Sequence, residues 1–165
     1  MEFKETGMGL FGWFDEDIAI FGGTRSNRVH PAGHLWCQFS VLDIAHRRAT
    51  GEDRIVGRME LLIEYPIDES APLLIRKLLN FDISKELRRN PRKGQSGEGL
   101  GRRAIEALAR AATDDIDILD IKPGAKGFWA KMGVEMYPEQ KRVNGILKPI
   151  PKLATTPATS PSHRP

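Results

Sequence analysis

The chain has 165 residues, a formal charge of +3 and a single cysteine, Cys37. That length suits one compact domain with a sizeable core, and one cysteine excludes an intramolecular disulfide framework, which favours a reducing, cytoplasmic setting. No apolar run approaches a membrane span, the start MEFKET lacks a signal peptide's basic and apolar regions, and the positive charge favours a polyanionic partner only loosely.

Residues 1–34 hold glycine pairs and turn formers around two short apolar pieces, LFGWF (10–14) and IAIF (18–21), which read as a first strand and a surface element. LWCQFSVLDI (35–44) and RIVGRMELLIEY (54–65) are β-rich runs, and the polar segment 45–53 between them reads as a hairpin loop. LLIRKLLNFDI (73–83) fits a helix by its leucine spacing and a strand by the alternation at its end. A strand over at least the second half is preferred on topological grounds, because a βα unit needs one before the glycine turn that follows. Residues 85–96 form a basic surface connection.

From Leu100 onward Ala104, Ile105, Leu108, Ala111 and Ala112 follow a helical period, with a stop expected near 113–115. IDILDI (116–121) alternates as a strand, and AKGFWAKM (125–132) is a short helical piece that Gly133 is placed to end. Residues 134–137 and 142–147 suit a terminal strand pair. The organisation predicted is one domain over 1–150 and a disordered Pro/Ser/Thr-rich tail over 151–165.

The segment SGEGLGRR (96–103) is the least generic stretch. Gly97, Gly99 and Gly101 run into a helix start, where backbone N–H groups can converge and the unpaired amides of the first turn add positive potential. Arg102 and Arg103 sit in that first turn against the macrodipole, so a negative partner is expected to offset them. A plain tight turn is the alternative. Neither the P-loop ending nor the dinucleotide spacing is present.

The order of β-run, basic connection, SGEGLGRR, helix, strand and AKGFWAKMGV (125–134) resembles the GNAT superfamily of N-acetyltransferases, over about residues 35–147 and most closely over 95–134. The resemblance implies an α/β, single-domain acyl-CoA N-acyltransferase fold, with a central mixed, mostly antiparallel sheet flanked by helices. It implies acetyl-CoA as cofactor, bound by Ile83, Ser84, Gln95, Ser96, Gly97, Glu98, Gly99, Leu100, Gly101, Arg102, Lys122, Phe128 and Trp129. Ser96 stands where the family usually has arginine or glutamine, with Gln95 one residue away. Lys122 stands where many members have asparagine, and Trp129 where many have a tyrosine that protonates the departing thiolate.

The implied reaction is direct attack of an amine on the thioester in a ternary complex. Backbone amides at a strand break, expected near 82–86, would polarise the carbonyl. Glu60 and Glu64, on one face by two-residue alternation, rank first as general base, followed by Asp82 and Glu86. Tyr137, Ser84 or water are alternative proton donors, although a thiol with a pKa near about 8.5 leaves tolerably unassisted. The amine acceptor, a small molecule or a macromolecule, is unidentified, and a homodimer is compatible with the family.

Two other classes stay open: an inactive GNAT-like interaction protein and a nucleic-acid-binding module, the latter suggested by the basic total and the clustered arginines and distinguished by whether positive potential continues in a stripe through Arg47, Arg48, Arg54 and Arg58 or is confined to the glycine turn. No metal is expected, since His30, His34, Asp43 and His46 lack the usual ligand patterns. Cys37, Trp13 and Phe14 are read first as core residues, with Trp13 and Phe14 as alternative acceptor contacts, and Trp36 and Phe39 suit the core or an interface.

Overall fold

The computed structural model describes residues 2–6, 10–14, 16–25, 33–65, 67–68, 71, 73–87 and 99–151. Residues 95–98, most of the basic connection, His30 and the tail from 152 therefore lie outside the described residues.

The molecule is α/β. Among the described residues nine strands form one sheet: β1 (Glu2–Thr6), β2 (Leu10–Phe14), β3 (Ile18–Arg25), β4 (His34–Asp43), β5 (Ile55–Glu64), β6 (Leu74–Ile83), β7 (Ile116–Ile118), β8 (Glu135–Glu139) and β9 (Arg142–Leu147). Their spatial order is β1-β2-β3-β4-β5-β6-β7-β9-β8, and every neighbouring pair is antiparallel except β6 and β7. Helices α1 (Ile44–Thr50), α2 (Leu100–Ala111) and α3 (Lys126–Lys131) complete it. Because α2 connects the parallel pair, it is the crossover that such a pair requires.

The core lies between α2 and one face of the sheet. Cys37, Phe39 and Val41 of β4 alternate inward opposite Leu61, Met59 and Gly57 of β5, as the two-residue period dictates. Helix α2 buries Leu100, Ala104, Ile105, Ala107, Leu108 and Ala109 and packs against β2, β3 and β6. Five of its residues on or beside that stripe, Gly101, Ala104, Ala107, Ala109 and Ala111, are glycine or alanine, and short side chains let the helix approach the sheet closely. Trp13 is buried and packs on Phe39 at a ring separation of 5.4 Å, so it serves the core.

Three sequence expectations change, and the strand preferred for an ambiguous run holds. The segment IAIF is a buried strand and not a surface element, since Ile18, Ala19 and Ile20 are at most 1% exposed. The supposed hairpin loop at 45–53 carries α1. Asp43 caps its N-terminus by accepting from His46 N–H at 3.0 Å, and Gly51 ends it in the left-handed conformation at φ 78°.

The ambiguous run 73–83 is strand from Leu74 onward. Its leucines mimic a helix because the register with β5 leaves Arg76 and Leu79 as extra residues, and two bulges interrupt the two-residue alternation. The strand expected over 116–121 is only three residues long. Asp120 turns left-handed at φ 54°, its N–H donating to Asn144 Oδ1 at 2.9 Å, and this steers the chain out of the sheet. The helix at 100–111, the short helix before Gly133 (φ 76°) and the terminal strand pair lie where expected.

Candidate functional site

Strands β6 and β7 pair only at Lys77 with Asp117 and Leu78 with Ile118, followed by one more bond from Leu119 N–H to Leu78 O at 2.9 Å. Beyond that point β6 continues to Ile83 while β7 has ended, so the sheet forks. The bulge at Leu79 lies at the fork itself. Ser84 N–H donates to Val56 O at 2.9 Å, which fixes the alternation along this edge. Asp82 and Asn80 direct their backbone groups to β5, and Phe81 turns its N–H and C=O the other way, into the opening. The break expected at 82–86 therefore begins earlier, at Leu78, because β7 is shorter than its sequence pattern suggested.

A cleft of about 800 Å³ fills the opening. Phe81, Asp82, Ile83 and Leu87 line it from the β6 side, Gly99 to Arg102 from the start of α2, and Lys122, Ala125, Phe128, Trp129 and Lys131 from the chain after β7. Phe81, Phe128 and Trp129 form a mutually touching set, with ring centroids 5.0–6.2 Å apart. Alternation places Phe81 on the core side of β6, and the short helix α3 brings the other two rings to it.

Helix α2 opens on this cleft without a side-chain cap and with no acidic residue in its first turn. Its N-cap Gly99 has φ 68°, a conformation that costs glycine nothing. The first helical backbone bond is Arg103 N–H to Gly99 O, so the N–H groups of Leu100, Gly101 and Arg102 precede the helical ladder. At Gly101 an added Cβ would meet the Phe128 ring at 3.4 Å, an ordinary van der Waals contact, so this wall has room for a methyl group and a longer side chain would extend toward that ring.

The two arginines of the first turn have partners inside the protein. Arg102 Nε donates to Glu106 at 2.8 Å, and Arg103 faces Asp43 at 3.6 Å on the other side of the helix. The expectation that an external anion must offset them is thus revised: internal carboxylates do so, and what the helix start itself presents to the cleft is the amides that precede its ladder, with Arg102, Lys122 and Lys131 along the walls. Asp43 is 1% exposed. Burial pushes its carboxyl up, but hydrogen bonds from Arg54 and from His46 N–H, with the charges of Arg103 and Arg54, outweigh this and hold it below the ordinary carboxylate value. Across the cleft, the Lys122 ammonium bonds Asp120 at 2.6 Å and lowers that carboxyl.

Of the residues assigned to cofactor binding from the sequence, Ile83, Gly99, Leu100, Gly101, Arg102, Lys122, Phe128 and Trp129 line this one cleft. Ser84 instead lines a neighbouring cavity of about 420 Å³ with Ile55, Gly57, Arg58 and Asp82, so Asp82 is shared by both. Gln95, Ser96, Gly97 and Glu98 lie outside the described residues.

Of the five catalytic candidates, Asp82 alone lines the cleft. Glu60 is 7% exposed on the sheet face opposite α2, directly across the ladder from Asn80, whose Nδ2 donates to it at 2.9 Å. That places Glu60 beside the bulge at the fork. Glu64 shares its face, as alternation predicts, but is engaged by Arg76 at the far end of β5. Glu86 is exposed on a 3-10 turn, and Tyr137 is on β8, two strands away from β7.

Sequence reasoning missed Asn80 and Asn144, and it weighed Asp43 only as a metal ligand. Asp43 had a readable signal, a capping aspartate eight residues before a helix-ending glycine. Asn144, buried and bonded to both Asp120 N–H and Glu139, had none in a single sequence.

Arg47, Arg48 and Arg54 face Asp53, Asp17 and Asp43 at 3.1, 3.6 and 2.5 Å. Cys37 is buried. Among the described residues no group of three or more His, Cys, Asp and Glu side chains is placed to hold a metal ion, and no helix is long and apolar enough to cross a membrane. No protein-family model, no curated protein and no solved structure matches this chain.

Proposed function

We propose that the chain is a GNAT-type N-acetyltransferase that takes acetyl-CoA in the cleft between β6 and β7 and transfers its acetyl group to an amine. The observation that carries this reading is the fork: a parallel strand pair that parts after two paired residues, bridged by a helix whose glycine-led N-terminus opens on the gap. The strand order around that fork, with β9 between β7 and β8, supports the acyl-CoA N-acyltransferase arrangement as the finer description of the fold.

The residues present fit the cofactor. A diphosphate suits the open amides of Leu100 to Arg102 with Arg102, Lys122 and Lys131 nearby. A thin amide-bearing arm suits the aromatic walls and the strand-edge N–H and C=O of Phe81, which can pair with an amide as a strand would. When bound, acetyl-CoA supplies an acyl group activated as a thioester.

The chain's own residues account for the rest. Glu60, fixed by Asn80 at the fork, is the general base that removes a proton from the acceptor ammonium, directly or through water. Asp82, common to the cleft and the neighbouring cavity, is the second candidate. The indole N–H of Trp129 is no acid at neutral pH, and a thiol pKa of about 8.5 makes a proton donor unnecessary at that position. The carboxylates facing Arg47, Arg48 and Arg54 favour a cofactor cleft over a nucleic-acid stripe.

Isothermal titration with acetyl-CoA, beside a duplex oligonucleotide at physiological salt, tests the assignment. Saturable micromolar binding of acetyl-CoA is expected; a folded protein that ignores it and binds the oligonucleotide with strong salt dependence contradicts the assignment. Once an acceptor is found, Glu60→Gln should lower kcat by about 100-fold and leave acetyl-CoA affinity unchanged.

A further inference from the structure

Asp43 is the most enclosed carboxylate among the described residues, and nothing in the reaction proposed above uses it. It ends β4, caps α1 through His46 N–H at 3.0 Å, receives Arg54 Nη2 at 2.5 Å and faces Arg103 Nη2 at 3.6 Å. Arg103 belongs to the first turn of α2, and its N–H makes the first bond of the helix ladder, to Gly99 O at 3.0 Å. The residues on the opposite side of that same turn, Gly99 to Arg102, line the cleft. One buried carboxylate therefore ties the sheet, α1 and the start of α2 together.

We propose that Asp43 is a positioning residue for the phosphate-binding turn: by holding Arg103 it fixes the first turn of α2, and through it the direction in which the amides of Leu100 to Arg102 point. This inference deepens the acetyl-CoA reading and rests on it for the identity of the ligand. The physical ground is that α2 has no side-chain cap of its own and carries two arginines against its macrodipole. Without the carboxylate, the guanidiniums of Arg54 and Arg103 would face each other, and their repulsion would displace the turn. Arg103 Nε is buried without a hydrogen-bond partner while the side chain as a whole is 31% exposed, so the charge of Asp43 is what orients its guanidinium.

The test uses the full chain, its Asp43→Asn and Arg103→Met variants, and two probes, acetyl-CoA and acetyl-pantetheine, the second lacking the diphosphate. Arg103→Met keeps the Asp43–Arg54 pair and the cap of α1, which guards against failure of Asp43→Asn to fold. Both variants should weaken acetyl-CoA binding by about tenfold or more and acetyl-pantetheine binding by less than about twofold, because only phosphate contacts depend on the turn. Hydrogen exchange at the amides of Arg103 to Ala107 should speed up by about tenfold in both, with β4 and β5 unchanged. Equal loss for both probes, exchange that rises throughout the molecule, or variants that bind acetyl-CoA as the parent does would overturn the inference. A parent chain that binds neither probe would refute the acetyl-CoA reading, while the exchange data would still decide whether Asp43 fixes the turn.

Discussion

Along its β5 edge, β6 is paired at eight positions between Leu74 and Ile83, whereas along its β7 edge only Lys77 and Leu78 are paired. The same strand thus has one edge that builds the core and one that builds a cleft. On the closed edge, Leu61 and Leu78 face each other at 0% and 1% exposure. On the open edge, the Phe81 backbone and three aromatic rings border a space of about 800 Å³. The contrast teaches that stability and binding are drawn from different sides of one element, and that a three-residue β7 is what separates them.

The sharpest break of that contrast is on the closed edge. Leu61→Ala should cost about 2–5 kcal/mol in denaturant unfolding, because a fully enclosed leucine leaves a cavity, while ligand affinity per folded molecule stays constant. The converse is Gly101→Leu on the open edge. It should weaken acetyl-CoA binding by about 100-fold, or ~2.7 kcal/mol, by projecting a side chain toward Phe128, with Tm held within about 4 °C. If Gly101→Leu lost stability and Leu61→Ala lost affinity, the division of labour would be wrong.

A smaller effect is expected at the N-cap of α2. Gly99→Ala should cost about 1–2 kcal/mol through backbone strain alone, since nothing lies within 4 Å of the added Cβ, and Gly99→Asn should recover part of it. The least effect at neutral pH is the titration of Asp43. Its folded-state carboxyl lies below the ordinary value of 3.8, so its stabilising contribution is complete above the unfolded-state pKa and is lost as pH falls through the folded-state pKa. The stability difference between the parent and Asp43→Asn should therefore be flat from neutral pH down to about pH 5 and shrink below about pH 4. A difference that widened on acidification would reverse the assigned sign.

Strands β4 and β5 were legible in the sequence, because both runs are rich in β-formers and Pro66 follows the second. Helix α2 was legible too: Gly99 and Gly101 precede an apolar stripe with the helical period. The fork was not. It depends on two bulges, at Arg76 and Leu79, that hide the strand period, and on Asp120 leaving the sheet through a bond to Asn144, 24 residues later. Similarly, Glu60 and Glu64 were equivalent by alternation, and only their tertiary partners, Asn80 for one and Arg76 for the other, distinguish them. The roles given to Arg102 and Arg103 shifted for the same reason, since Glu106 is a local partner but Asp43 is 60 residues away in the chain.

The most direct test of the central claim is a ¹⁵N–¹H correlation spectrum of the labelled chain titrated with acetyl-CoA. Shifts concentrated at Phe81, Leu100 to Arg102, Lys122 and the indole N–H of Trp129, with β1 to β4 silent, are the predicted result. An unchanged spectrum at saturating acetyl-CoA, or shifts that bypass the fork, would contradict the claim that the parting of β6 and β7 is the binding site.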